Sequence, residues 1–180
     1  MAPPPERDTQ LRLRRATSVD VPDIVTLVEG AYRGEASRAG WTTEADLLDG
    51  QRTDAREIHE QLADARACFV LAESNARLVG SVLLRDDDEA MYLGMLAVHP
   101  TLQGRGVGKR LLEAADARAR ELERPCVRMT VIRLRHTLIA WYERHGYRRT
   151  GQLEPFPYGD ERFGRPRRAD LVFEVLEKRL

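Results

Sequence analysis

Apolar and polar residues alternate along residues 11–17, LRLRRAT, and a period of two predicts a half-buried strand. Ser18 and Asp20 then offer helix caps before VPDIVTLVEGAY, where Ile24, Leu27, Val28 and Tyr32 recur at helical spacing. Residues 33–54 are rich in Gly, Thr and charge but hold Trp41, Leu47 and Leu48, which predicts an irregular segment with a short helix. AREIHEQLADA reads as a second helix. CFVLAES and RLVGSVLLR read as strands joined by the turn residues Asn75 and Ala76. The acidic run Asp86 to Glu89 reads as a solvated turn before the apolar run 91–98, and three successive strands with short links imply an antiparallel meander. The period then changes: over residues 106–121, Val107, Leu111, Leu112 and Ala115 share one helix face. The strand CVRMTVI, a helix over 137–144 stopped at Gly146, and a last strand over 171–177 complete the order. The chain is expected to be α/β (α+β), a mixed sheet with helices packed on it.

At 180 residues the chain suits one globular domain, taken as 11–180 after a flexible tail, 1–10, whose MAPPPERDTQ lacks an apolar core. Twenty-nine basic and 29 acidic residues cancel, so no global field recruits nucleic acid or an anionic membrane. No apolar run approaches the ~18 residues of a membrane span, and a cytoplasmic location is the default. Cys68 and Cys126 lie in apolar runs without metal-ligand spacing, so both are expected to be reduced and packed, and no metal is expected.

The chemistry concentrates in MLAVHPTLQGRGVGKRLL, where an apolar run ends at His99-Pro100 and a glycine turn opens a helix. A Walker loop requires Ser or Thr after Gly-Lys, and here Arg110 follows Lys109, while Gln103 stands where the first glycine belongs. A dinucleotide fingerprint would place glycine at Lys109 and follow the first strand of its sheet directly. The design that remains needs only consecutive amides converging at a helix start, glycines that admit a pyrophosphate, and the nearby charge of Arg105 and Lys109.

These residues resemble the acetyl-CoA signature of the GCN5-related N-acetyltransferase (GNAT) family, Q/R-x-x-G-x-G/A, present as Gln103, Gly106 and Gly108. The resemblance extends to LAVHP before the turn, to LIAWYERHGYRRTG, and to the opening LRRATSVDVPDI. It implies the acyl-CoA N-acyltransferase (GNAT) fold: a mostly antiparallel central sheet of six to seven strands with helices on both faces, and a V-shaped gap between its fourth and fifth strands. Acetyl-CoA would then be the cosubstrate. Backbone groups of Leu96, Ala97 and Val98 would meet its pantetheine arm, one amide there would polarise the thioester carbonyl, and the amides of Gly104, Arg105, Gly106, Val107, Gly108 and Lys109 would bind its pyrophosphate. Tyr142 occupies the position of the family's general acid, and the reaction implied is direct transfer of acetyl to the primary amine of a small molecule or peptide.

Two positions depart from the family's pattern. Arg135 stands where many members carry a cofactor-contacting Asn, leaving a charge that could reach a phosphate or the pantetheine. A base on the strand before the turn would share the face of Val98, and simple alternation puts Tyr92 and Gly94 there, neither acidic; Glu89 has the opposite parity. A water, or a carboxylate such as Glu44 or Glu154, is left to deprotonate the amine. Residues 33–54 and 153–166 are expected to wall the acceptor, with Arg33, Arg38, Arg52, Arg162 and Arg165 as possible anion ligands. Trp41, Trp141 and Tyr147 are read as packing residues. Protein amino-terminal acetylation and a non-catalytic acetyl-CoA sensor are the other functions open to this sequence, as monomer or homodimer.

Overall fold

In the computed structural model, which describes residues 11–180, β1 (Arg12–Arg15) leads through a 3-10 turn into α1 (Val21–Tyr32). A second 3-10 turn (Glu35–Ala39), a two-residue strand β2 (Leu48–Asp49) and α2 (Ala55–Ala63) follow. Then come β3 (Ala67–Ser74), β4 (Arg77–Asp86), β5 (Met91–Val98), α3 (Val107–Glu121), β6 (Cys126–Ile132) and α4 (His136–Arg144). The chain closes with β7 (Arg148–Pro155), a short β8 (Arg165–Pro166) and β9 (Val172–Arg179). The tail expected at 1–10 lies outside the described residues.

Seven strands form one sheet in the order β1-β3-β4-β5-β6-β9-β7, antiparallel at every neighbour except β5 and β6. This is the mixed, mostly antiparallel sheet that the apolar pattern and the family resemblance imply. Its β3–β4 hairpin turns at Asn75 and Ala76, both with positive φ, as a tight hairpin of right-handed twist requires. One edge is β1, only four residues long and carrying three arginines, a composition that discourages pairing with another chain. At the other edge β7 runs to Pro155 and so takes in the first residues of a segment expected to be irregular; the proline sits at the strand's end, where pairing with β9 tolerates it.

Helices cover both faces. Ile24, Val28 and Tyr32 of α1 and Ile58 of α2 pack with Phe69, Leu71, Met95 and Ala97. On the other face Leu111, Leu112 and Ala115 of α3 and Ile139 and Tyr142 of α4 pack with Val82, Leu93 and Met129. Burying leucines such as Leu111 and Leu112 contributes about 1.5–3 kcal/mol each. Cys68 and Cys126 are buried and free, as their apolar surroundings suggest.

Two features of β5 position everything that follows. It pairs with β6 only at Met91↔Val127 and Tyr92↔Arg128, after which the two strands part. Opposite β4 its register slips, Leu83 facing Gly94 but Ser81 facing Ala97, so an extra residue bulges there; Met95 takes a φ of 45° to accommodate it. That conformation costs a β-branched-free residue about 1–3 kcal/mol and persists only where surrounding packing holds it, here in the α1 core.

Candidate functional site

The bulge reverses the alternation along β5. Met91 and Leu93 point into the α3–α4 core, Met95 and Ala97 into the α1 core, and Leu96 and Val98 pack back against the α3–α4 side. Val98 therefore shares its face with Leu96, Leu93 and Met91. The expectation that Tyr92 and Gly94 share it is overturned, because counting by twos fails across an inserted residue. Tyr92 instead lines a cleft on the far side.

The backbone groups of β5 divide in the same way. His99 N–H donates to Val79 O at 2.9 Å, and the register then directs both backbone groups of Ala97 at Ser81. Leu96 and Val98 face the side from which β6 has departed. Their carbonyls accept bonds from side chains instead of a strand: Tyr32 Oη donates to Leu96 O at 2.5 Å, and Gln103 Nε2 donates to Val98 O at 3.1 Å. Of the three residues expected at the gap, Leu96 and Val98 face it, whereas Ala97 turns its backbone groups into the sheet.

A cleft of about 420 Å³ runs along this open edge. One end is the glycine turn. Gly106, at φ 84°, is the cap residue of α3 in the left-handed region, and the first amides of the helix receive no side-chain cap. Gly108 lies against the Trp141 ring, and a Cβ there would stand 3.1 Å from Cη2, so a larger residue would push the indole into the cleft. Gly104 and Lys109 line the cleft too, while Val107 buries its side chain in the core. Arg105 is exposed and outside the lining.

Gln103, the first residue of the motif, is a brace. Besides Val98 O it engages the segment after α1: Trp41 N–H donates to its Oε1 and its Nε2 donates to Thr42 Oγ1, each at 2.8 Å. This places Trp41, 41 % exposed, with its ring 6.0 Å from that of Trp141 across the cleft. Both tryptophans line the cleft, so packing is only part of their role, whereas Tyr147 is a buried core residue as expected.

The long wall is one face of α4, with Thr137, Leu138, Trp141, Tyr142 and His145. Tyr142 is nearly fully buried, and its hydroxyl has no hydrogen-bond partner among the described residues. Burial pushes its pKa well above the ordinary phenol value, so the group stays protonated in neutral solution.

A second cleft, of about 340 Å³, opens on the other side of Tyr142; Tyr32, Leu138 and Tyr142 line both. The two irregular segments expected to form a wall do meet here. β2 pairs with β8, Arg167 binds Asp49 at 2.6 Å, and Leu48 and Arg52 share the cleft with Glu154 and Phe156.

Arg135 belongs to this second cleft and does not line the first. Its Nη1 donates to Glu44 Oε1 at 2.8 Å and its Nη2 to Thr42 O. Arg33 holds the other oxygen of Glu44. Burial raises the pKa of Glu44, but the charges of Arg135, Arg33 and Arg52 outweigh it and hold the carboxyl below its ordinary value. A carboxylate so stabilised is an anchor for guanidinium groups and a poor proton acceptor. Glu154 has no ion-pair partner among the described residues.

Several of these residues carried a signal in the sequence: Thr137, Trp141 and His145 fall at four-residue intervals, one face of the helix that presents Tyr142. Tyr32 was legible only as a helix residue and Glu44 only as a candidate base, since the bonds that set their places here run to partners distant in the chain.

Residues 65–149 match the family model described as acetyltransferase (GNAT) domain. Solved structures share the architecture at low identity. The ribosomal-protein-S18-alanine N-acetyltransferase from Escherichia coli aligns with a TM-score of 0.69 at 14% identity, over 94% of each chain. An N-acetyltransferase from Staphylococcus aureus Mu50 gives 0.70 at 12% identity, over 94% of this chain and 97% of that one. A GNAT family acetyltransferase from Elizabethkingia anophelis with acetyl-CoA bound gives 0.64 at 16% identity, over 97% of this chain and all of the other.

Proposed function

With a GNAT acetyltransferase domain as the premise, we propose that this protein transfers the acetyl group of acetyl-CoA to a primary amine. The observation that carries the proposal is the first cleft itself: an open strand edge that runs into a glycine-capped helix start, with a buried phenol where it meets a second cleft. The residues present fit the cosubstrate on two counts. Leu96 and Val98 face the gap that β6 leaves, and Gly108 packs so close to Trp141 that a side chain there would crowd the indole into the cleft.

The amides of Gly104, Gly106, Val107, Gly108 and Lys109 would hold the pyrophosphate, where a helix start favours negative charge. Leu96 and Val98 would donate to the pantetheine arm and to the acyl oxygen. Acetyl-CoA supplies an acetyl thioester, whose transfer forms a C–N bond to a neutral amine and breaks a C–S bond, leaving a thiolate that needs a proton. Tyr142 holds a proton at Oη, within the wall that both clefts share, and would deliver it there; the nitrogen loses its proton to solvent water, and solvent restores the phenol. Glu44, saturated by two arginines, is set aside as the base. Arg135, engaged with Glu44 and Thr42, would organise the acceptor side instead of touching the cosubstrate.

A ligand that binds only the folded protein raises its melting temperature, by the equivalent of about 2.7 kcal/mol at 100 times its dissociation constant. Acetyl-CoA is expected to protect the protein in a thermal melt, and Gly108→Val to abolish that protection. Absence of protection for the unsubstituted protein at millimolar acetyl-CoA would refute the donor assignment. Thiol release from acetyl-CoA that depends on an added amine separates the enzyme from a sensor that binds without transferring.

A further inference from the structure

The second cleft carries three guanidinium groups, those of Arg33, Arg52 and Arg135, and two carboxylates, Glu44 and Glu154. Their pairing is unequal. Glu44 is held by Arg33 on one oxygen and Arg135 on the other, and Arg135 also donates from Nη2 to Thr42 O. Arg52 is different: its backbone N–H bonds Glu29 at 2.5 Å, which fixes its Cα, but its guanidinium has no hydrogen bond or ion pair among the described residues. It lies 5.6 Å from the centre of the Tyr32 ring, half-buried on the cleft wall. The other arginines considered from sequence are occupied or elsewhere. Arg38 binds Asp46, Arg162 binds Asp160, and Arg165 is exposed outside the lining.

We propose, building on the acetyltransferase reading, that the acceptor is a small amine bearing an oxyanion, of amino-acid size, with its anionic group held by Arg52 and its amine directed toward Tyr142. A guanidinium held in place by its backbone and by an aromatic ring offers two parallel N–H donors, the geometry that a carboxylate or phosphonate accepts. Glu154 comes from a different segment of the same cleft, and its carboxylate gives the acceptor's nitrogen a charge partner. Phe156 and Phe173, rings 5.5 Å apart, bound the cleft with Pro155 and Pro157, so its volume of about 340 Å³ suits a free amino acid better than an extended peptide.

The experiment uses the full-length protein with acetyl-CoA and follows thiol release with free L-amino acids, the matching amino-acid amides, aminoalkylphosphonates and short peptides. At least one carboxylated or phosphonated amine is expected to exceed its uncharged counterpart about 10-fold to 100-fold in kcat/KM, the scale of a charged hydrogen bond. Arg52→Gln should remove that preference chiefly through KM, and Arg52→Lys should restore part of it. The preference between carboxylate and phosphonate identifies the anion. Equal or better turnover of the amides, turnover of peptides alone, no turnover of any anionic amine, or a preference that survives Arg52→Gln would overturn the inference. Acetyl-CoA protection in a thermal melt, measured on the same samples, tells its failure apart from failure of the donor assignment: with protection intact, only the acceptor class falls.

Discussion

Replacing Tyr142 with phenylalanine is expected to lower turnover about 10²-fold to 10⁴-fold, the range associated with losing a positioned general acid. The substitution removes one oxygen and keeps the ring that packs against Trp141 at 5.0 Å and Tyr147 at 5.6 Å. Stability and acetyl-CoA protection should therefore stay near those of the unsubstituted protein, which separates a chemical role from a packing one. Burial keeps the phenol protonated well beyond neutral pH, so the rate should not fall on the alkaline side through its ionisation below about pH 10. Full turnover by Tyr142→Phe with unchanged acetyl-CoA affinity would refute the assignment.

The second large effect is on stability. Glu44→Gln leaves Arg33 and Arg135 buried with their shared countercharge gone, and breaking a buried pair of this kind costs about 3–5 kcal/mol. For a chain of this size that is roughly 6–20 °C in melting temperature. The folded-state pKa of Glu44 lies below its unfolded value. Its contribution is thus fully present above about pH 5 and is lost as pH falls through the lower, folded value. The gap in melting temperature between the two proteins should be constant from about pH 6 to 8 and close in stronger acid. A gap below about 1 kcal/mol at neutral pH would mean that the two arginines do not depend on Glu44.

Much of the first cleft was legible because it is written locally. The glycines of the turn, the apolar run before it and the period of α3 lie within one short stretch, and Tyr142 sits on a helix whose spacing is plain. The bulge in β5 was not legible. Nothing marks Met95 as the residue that takes a positive φ, since bulges of this form usually place glycine there, and one inserted residue reverses every later assignment of faces. The fate of Arg135 was hidden for another reason. Its partners Glu44 and Thr42 lie on a segment that no periodicity orients, and that segment is held by Gln103, whose place in a cofactor motif pointed elsewhere. The wall of the second cleft was legible as two segments, but the pairing of β2 with β8 that joins them involves only two residues on each side, too few for a pattern.

The parting of β5 from β6 also has a mechanical meaning. The sheet is two ladders hinged at one end, four strands on one side and three on the other, with backbone bonds crossing the seam only at Met91–Tyr92 and Val127–Arg128. Beyond that hinge the halves are joined by side-chain packing under α3 and α4. A chain-like molecule laid along the seam and bonded to Leu96 and Val98 would act as a replaceable rung, so that part of the sheet's stiffness is supplied from outside the polypeptide.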